Sequence, residues 1–158
     1  MFVVEPPNKV PPGYFSIFLA GSIEMGKAVD WQTEIIRKLG ETDVAVLNPR
    51  RKDWDSTWVQ SSKNPEFTKQ VGWEMNGLEG SDFAAFYFDP NTLSPISLME
   101  LGLMAGLKKT ILVCCPEGFW RKGNVDLLCM RFGHRQVDTL QTLIEETIAH
   151  VTLKGKNR

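Results

Sequence analysis

Short apolar runs alternate along the chain with segments in which apolar residues recur every three or four positions. Continuous apolar runs predict strands that are buried on both faces, and the three- or four-residue spacing predicts helices. The predicted strands lie within residues 15–21, 43–49, 82–90, 108–118 and 135–137. The predicted helices lie within residues 28–40, 66–81, 94–106, 124–133 and 138–150. This alternation is typical of an α/β fold whose parallel sheet is covered by helices on both sides.

Three segments fall outside the alternation. Residues 1–13 contain four of the nine prolines and predict an extended arm or linker. Residues 50–65 are polar, contain two tryptophans and predict a long loop, which in a compact domain is often functional. Residues 154–158 predict a solvated basic tail. We therefore expect one domain over residues 14–153, which is long enough to bury a hydrophobic core.

Composition narrows the choice of partners. The 158 residues are 42% hydrophobic, carry a formal net charge of −1 and have a pI of about 6.1. This balance disfavours binding to a nucleic acid polymer, which usually needs a basic stripe. The apolar runs are shorter than the roughly 20 residues of a membrane span, and we see no signal peptide. These features predict a cytoplasmic protein that binds a small molecule and has no membrane partner.

The cysteines and histidines indicate neither a disulfide framework nor a metal site. Cys114, Cys115 and Cys129 are an odd number and predict buried thiols in a reducing compartment. The two histidines are far apart in the sequence and no Cys-x-x-Cys occurs, which disfavours zinc. No histidine lies near the adjacent cysteines, which disfavours a cysteine nucleophile.

Candidate binding residues follow the strands, because ligands of such sheets bind at the carboxyl ends of the strands. The turn Ala20-Gly21-Ser22 is small enough for close approach to a ligand. No G-x-G-x-x-G or Walker lysine motif accompanies it, which disfavours ordinary dinucleotide and nucleoside triphosphate binding. Position favours Asp89, after the third strand, over Asp82 at its start. Trp54 and the other loop tryptophans, Trp58 and Trp120, fit either a core or a surface that stacks on a flat ligand.

Glu100 is the one carboxylate in an otherwise apolar helix, residues 94–106. In one interpretation Ser97 begins a capping box, and Glu100 reaches back to the Ser97 amide. In the other, Ser94 and Pro95 begin the helix and Glu100 lies beyond the first turn. A carboxylate in apolar surroundings is unfavourable and usually has a use. The local pattern leaves capping and catalysis equally open.

An ordered set of motifs resembles the nucleoside 2-deoxyribosyltransferase family, whose superfamily also contains hydrolases of nucleosides and nucleoside monophosphates. The motifs are FLAGS (18–22), DWQTEIIRKL (30–39), LNPRR (47–51), QVGWEMNGLEGSDFAAFYF (70–88) and SPISLMELGLMAG (94–106). The resemblance covers most of residues 15–150. It implies a flavodoxin-like (Rossmann-like) three-layer sandwich with a parallel central sheet of about five strands. It also implies a homodimer or larger homo-oligomer that needs no cofactor.

The resemblance also implies roles for individual residues. Glu100 would attack the anomeric carbon of the sugar and form a glycosyl-enzyme intermediate, which suits the cation-like transition state of N-glycosidic cleavage. Asp82 would be the acid that contacts the sugar or base, in place of Asp89. Asn124 would be a polar residue lent by a neighbouring subunit. The remaining candidates for substrate binding are Ala20, Gly21, Ser22, Asp89, Ser94, Ser97 and Trp54.

Three points stay open at this stage. Members that bind a 5′-phosphate tend to carry arginine where this chain has Glu24, and a carboxylate repels phosphate, which favours an unphosphorylated nucleoside. The sequence identifies no second acid to protonate the leaving base, and it does not distinguish transfer to a base from transfer to water. The alternatives are a non-catalytic module that binds a nucleotide-like ligand and a flavin-binding protein of the same fold.

Overall fold

A computed structural model describes residues 1–24, 27–40, 42–51 and 57–155. Within these ranges the chain forms six strands and five helices. In chain order they are β1 (Phe2–Val4), β2 (Phe15–Gly21), α1 (Trp31–Leu39), β3 (Val44–Leu47), α2 (Pro65–Gly80), β4 (Phe83–Tyr87), α3 (Pro95–Gly106), β5 (Ile111–Cys114), α4 (Lys122–Phe132), β6 (Arg135–Val137) and α5 (Leu140–Gly155). The strand order is β1-β3-β2-β4-β5-β6, and every neighbouring pair is parallel. The predicted flavodoxin-like α/β fold is confirmed.

The sheet separates two apolar layers. One layer joins the sheet to α2, α3 and α4, and the other joins it to α1 and α5. Consecutive residues of β2 enter opposite layers, because Phe18 belongs to the first and Ile17 to the second, and neither is exposed. Burial on both faces explains why the strands read as continuous apolar runs. Each such side chain contributes roughly 1.5–3 kcal/mol to folding.

Local signals place the ends of the helices close to the predicted positions. Asp30 caps α1 by accepting a hydrogen bond from the Thr33 amide at 3.2 Å. Asn64 caps α2 in the same way, and Pro65 occupies the first turn. Gly133 ends α4 with a φ of 72°. None of the helices in the described ranges combines the length and the apolar character that crossing a membrane requires.

The sheet has one strand more than the sequence predicted. Phe2–Val4 pairs with β3, with Phe2 beside Ala45 and Val4 beside Leu47. Only Val4 is buried, whereas Phe2 is 44% exposed, as expected of an edge strand. A three-residue strand next to a proline-rich stretch has no period of its own. It forms because a distant strand offers free backbone groups, and a local pattern does not reveal that.

β2 and β4 approach each other most closely at their carboxyl ends. Gly21 ends β2 with a φ of 131°, and a Cβ at this position would lie 2.2 Å from the Tyr87 carbonyl oxygen. The next amide, that of Ser22, donates to the same oxygen at 2.8 Å. Any side chain at position 21 would therefore push apart the two central strands.

We expect Gly21→Ala to lower the free energy of unfolding by about 3 kcal/mol or more, because it adds backbone strain to a clash with main-chain atoms. The matched control is Gly102→Ala, since a Cβ at this helical position in α3 meets nothing within 4 Å. That control should be neutral or stabilising by up to about 1 kcal/mol. Chemical denaturation of both variants measures the difference. Equal stability of the two would contradict the proposed close approach.

Candidate active site

The strand order reverses at the centre of the sheet. The connection that follows β2 leads to β3 on one side, and the connection that follows β4 leads to β5 on the other. The two loops therefore diverge and open a crevice above the carboxyl ends of β2 and β4. Among the described residues, 22–24 and 27–30 follow β2 at this edge of the sheet, and 88–94 follow β4. It is the place where parallel α/β sheets usually bind their ligands.

Three buried hydroxyl groups join the two loops at the floor of the crevice. The Ser22 Oγ lies 2.6 Å from the Ser94 Oγ and 2.9 Å from the Thr92 Oγ1. The Thr92 and Ser94 hydroxyl oxygens are 2.7 Å apart. The Asp89 amide donates to the Ser22 Oγ at 2.9 Å. This network brings two of the predicted site residues, Ser22 and Ser94, together and fixes where α3 begins.

Asp89 lies in the same crevice, and its carboxylate is bonded to the protein. One oxygen accepts from the Val29 amide at 3.1 Å, and the other accepts from the backbone and side-chain nitrogens of Asn91 at 2.9 and 3.0 Å. The side chain is only 2% exposed. Asp89 therefore holds the loops that follow β2 and β4 in place, and it adds a negative charge to the crevice.

The start of α3 decides between the two interpretations of Glu100. The helix begins at Pro95, and Ser94 is its N-cap residue with a left-handed φ of 45°. Glu100 therefore lies in the second turn, beyond the reach of a capping box at the helix start. Ser97, which would have begun that box, lies inside the helix and is buried. The capping interpretation is wrong, and the start at Ser94 and Pro95 is confirmed.

Glu100 belongs to a pair of carboxyl groups on facing helices. Burial and, to a smaller extent, the negative charge of Glu74 on α2 raise the pKa of Glu100 from 4.5 to about 8. Burial also raises the pKa of Glu74, and a hydrogen bond from Gln70 opposes that rise. Both side chains keep partial contact with solvent. Because the two carboxyl groups interact, their titrations are coupled and the pair retains a proton at neutral pH.

Gln70 connects the carboxyl pair to the long polar loop. Its Nε2 donates to the Glu74 Oε1 at 2.7 Å, and its Oε1 accepts from the Arg51 Nη1 at 3.3 Å. Gln70 is 3% exposed, so these partners satisfy an otherwise costly buried amide. The Arg51 guanidinium lies 5.6 Å from the centre of the Trp58 ring. The described part of the loop thus contacts the candidate site.

The sequence analysis did not identify Glu74 or Gln70. A usable signal was present, because Gln70, Glu74 and Leu78 recur every four positions along one face of α2. Leu78 and Gln70 are buried on this face. Polar side chains in a buried helical stripe need partners, which marks them for closer attention.

The structure does not bring Asp82 into the crevice. Its Oδ2 accepts from the Ser16 amide at 2.8 Å and from the Ser16 hydroxyl at 2.9 Å. Both residues lie at the amino end of the paired strands, whereas Asp89 follows the carboxyl end. The five residues of β4 separate these ends by about 17 Å. In the described structure Asp82 joins the starts of β2 and β4.

Asn124 lies on a different flank of α3. It lines an open groove of about 290 Å³ between α3 and α4, together with Leu98, Leu101 and Arg121. Glu100 interacts instead with α2, so this chain does not bring Asn124 and Glu100 together. Ala20 is buried in the core, next to Gly21 in β2. Trp54 lies outside the described residues.

The fold defines a flavodoxin-like α/β protein, and its α2 and α3 carry two interacting, partly buried carboxyl groups. Residues 14–119 match the family model described as nucleoside 2-deoxyribosyltransferase like, and the chain belongs to that family. A crystal structure titled conserved protein from Enterococcus faecalis V583 is similar, with a TM-score of 0.56 and 15% identity over 87% of this chain and 98% of that chain. That likeness shows the fold alone. No curated protein matches the sequence.

The raised pKa of Glu100 predicts a pH-dependent stability. Between pH 4.5 and about 8 the unfolded chain releases a proton that the folded protein retains, so wild type loses stability as the pH rises. The glutamine side chain cannot ionise. The free energy of unfolding of Glu100→Gln should therefore exceed that of wild type by roughly 1–3 kcal/mol at pH 9. At pH 4 the two should differ little. Glu79→Gln, an exposed position on α2, is the control. Denaturation at both pH values tests this, and a pH-independent difference would refute it.

Proposed function

We propose that this protein cleaves the N-glycosidic bond of a nucleoside or deoxynucleoside and passes the sugar to another base or to water. The observation that carries the proposal is the charge interaction between the carboxyl groups of Glu100 on α3 and Glu74 on α2, two helices that contact each other. Membership of a nucleoside 2-deoxyribosyltransferase-like family supports a nucleoside as the substrate. Glycosidic cleavage generally uses two carboxyl groups in different protonation states.

The two carboxyl groups take complementary roles. The free protein keeps the pair's proton mainly on Glu100, whose pKa is about 8, so the reaction starts from the form in which that proton has moved to Glu74. Ionised Glu100 then attacks the anomeric carbon, forming a carbon–oxygen bond as the carbon–nitrogen bond to the base breaks. Glu74 gives its proton to the leaving nitrogen of the base. Ionised Glu74 then takes a proton from the incoming base or water, which displaces Glu100 and regenerates the starting state. The negative charge beside the anomeric carbon stabilises its cation-like transition state.

Glu74 replaces Asp82 as the acid in this proposal, because its raised pKa and its charge interaction with Glu100 meet what the reaction needs. Gln70 keeps the Glu74 carboxyl in position through its 2.7 Å hydrogen bond. The turn at Gly21 and Ser22 lies at the crevice floor, on the sugar side. The loop bearing Trp58 reaches Glu74 through Arg51 and Gln70, which supports a base bound on that side.

We also propose that the protein assembles into a homodimer or larger homo-oligomer. Large apolar side chains stand exposed on α3 and α4, among them Met99 at 62% and Met130 at 76%. Contact with a second copy would cover such a surface. A neighbouring subunit that presents Asn124 would supply a polar contact that the chain's own Asn124 does not make with Glu100.

The first test is base release from ribo- and deoxyribonucleosides and their 5′-monophosphates, with and without a free acceptor base, followed by chromatography. Glu100→Gln should fold and lose at least about 1,000-fold in rate, because it lacks the nucleophile. Glu79→Gln removes one charge at an exposed position and should retain full activity. Exchange that needs an acceptor identifies a transferase, and release without one identifies a hydrolase. Activity in Glu100→Gln would refute the mechanism, and no reaction at all would favour a binding module.

The second test separates the acid from the nucleophile. In wild type, kcat/KM should fall above about pH 8, as the carboxyl pair loses its last proton. The pH profile of Glu74→Gln should lack that descending limb, and its rate should be about 10²–10⁴-fold lower than that of wild type. With an activated substrate, whose leaving group departs without protonation, the rate of Glu74→Gln should fall far less. Equal losses on both substrates, with an unchanged pH profile, would show that Glu74 is not the acid.

A further inference from the structure

Residues 5–14, which we call the strap, cross the face of the sheet beside α2. β1 ends at Val4, beside the carboxyl end of β3, and β2 begins at Phe15. The strap therefore returns across β3 from the carboxyl edge of the sheet to the amino edge. Its Val10 and Tyr14 pack against the apolar layer that joins the sheet to α2, α3 and α4. The strap and α2 thus share one face of the sheet.

One hydrogen bond joins the strap to α2. The Trp73 Nε1 donates to the Asn8 carbonyl oxygen at 2.6 Å. The Asn8 amide in turn donates to the Glu5 carbonyl oxygen at 2.9 Å, which closes a turn around this acceptor. The Asn48 amide donates to the Val4 carbonyl oxygen at 2.9 Å and ties the beginning of the strap to the loop after β3. The acceptor of the indole is therefore anchored to the sheet.

α2 has few buried side chains of its own to fix its position. The structure describes all 16 of its residues, and the buried ones are Gln70, Gly77 and Leu78. Gly77 brings the second half of the helix close to the sheet, because a Cβ there would lie 2.7 Å from the Phe18 ring. Trp73 lies one turn earlier, with its ring centre 5.9 Å from that of Phe18. A helix with so little apolar burial depends on its other contacts for a fixed position.

α2 connects the strap to α3. It contacts the strap through Trp73, and it contacts α3, where the charge of its Glu74 acts on Glu100. Trp73 and Glu74 are consecutive, so their side chains leave the helix about 100° apart. A rotation or shift of α2 that breaks the contact of Trp73 therefore also moves Glu74 relative to Glu100.

We propose that the strap positions α2, and that its hydrogen bond with Trp73 keeps Glu74 opposite Glu100. This inference rests on the proposed function, because it makes Trp73 a positioning residue for the acid. Gln70 bonds to Glu74 and to the loop after β3, whereas Trp73 bonds to the strap. Two contacts with different segments of the chain therefore fix the turn of α2 that ends in Glu74. Small displacements of a catalytic group reduce rates strongly, so both contacts matter for the reaction.

The test compares Trp73→Phe with wild type. Phenylalanine keeps an aromatic ring against Phe18 and removes the indole donor. Carbon-13 NMR of the glutamate carboxyl groups follows the titration of Glu100 without any substrate. We expect the pKa of Glu100 to fall below its wild-type value of about 8, because Glu74 moves away and water enters. The kcat/KM for base release should fall about tenfold.

A double-mutant comparison separates positioning from a general loss of structure. In a Glu74→Gln background, Trp73→Phe should change kcat/KM by less than about twofold, because the group that it positions is absent. Ile35→Val is the control for stability, since it removes one methylene group from the apolar layer on the other side of the sheet. That control should leave the Glu100 titration and the rate at wild-type values. Val10→Ala loosens the strap without changing α2 and should also lower the pKa of Glu100.

Each outcome bears on one proposal. An unchanged Glu100 titration in Trp73→Phe and Val10→Ala would overturn the role of the strap, even if nucleosides react. A lowered pKa of Glu100 in these variants, with no base release from any substrate, would support the strap and remove the proposed reaction. Equal losses of rate with and without Glu74 would show that Trp73 acts on the fold and not on the acid. Thermal unfolding shows which variants are folded, and Val10→Ala decides the question if Trp73→Phe is not.

Discussion

The close contact between β2 and β4 at their carboxyl ends is the constraint on which the candidate site depends. Gly21 allows the backbones to meet where a Cβ would lie 2.2 Å from the Tyr87 carbonyl oxygen. The same contact sets Ser22 where its hydroxyl bonds to Ser94 and to the Asp89 amide. The loops that follow β2 and β4 then diverge, so an open crevice lies directly beyond the close contact between the two strands. The position of α3, and with it that of Glu100, follows from this junction.

The carboxyl groups of the site oppose the stability of the fold. Glu100 and Glu74 are drawn out of water on facing helices, and burial raises the pKa of each. A purely structural helix pair would place apolar side chains at such positions, because unpaired buried charge is unfavourable. Gln70 reduces the penalty at Glu74 and ties it to Arg51. Retaining two poorly compensated acids is understandable if they perform chemistry together.

Two carboxylates, those of Glu24 and Glu100, are associated with α3. Glu24 binds at the amino end of the helix from another loop, and Glu100 projects from the helix itself. The first interacts with backbone amides and the second with another acid.

The sequence by itself determined the order of the strands and helices from β2 onwards and the parallel sheet, because these depend on local periodicity. It did not reveal β1, whose pairing with β3 is long-range. It proposed Asp82 from the family resemblance and did not identify Glu74, because the spacing of residues along the chain does not show which end of a strand or which helix face meets the crevice. Only the tertiary structure decided that Glu74 faces Glu100 and that Glu24 reaches α3. Those contacts join segments that are distant in the chain, and the packing of helices on a twisted sheet brings them together.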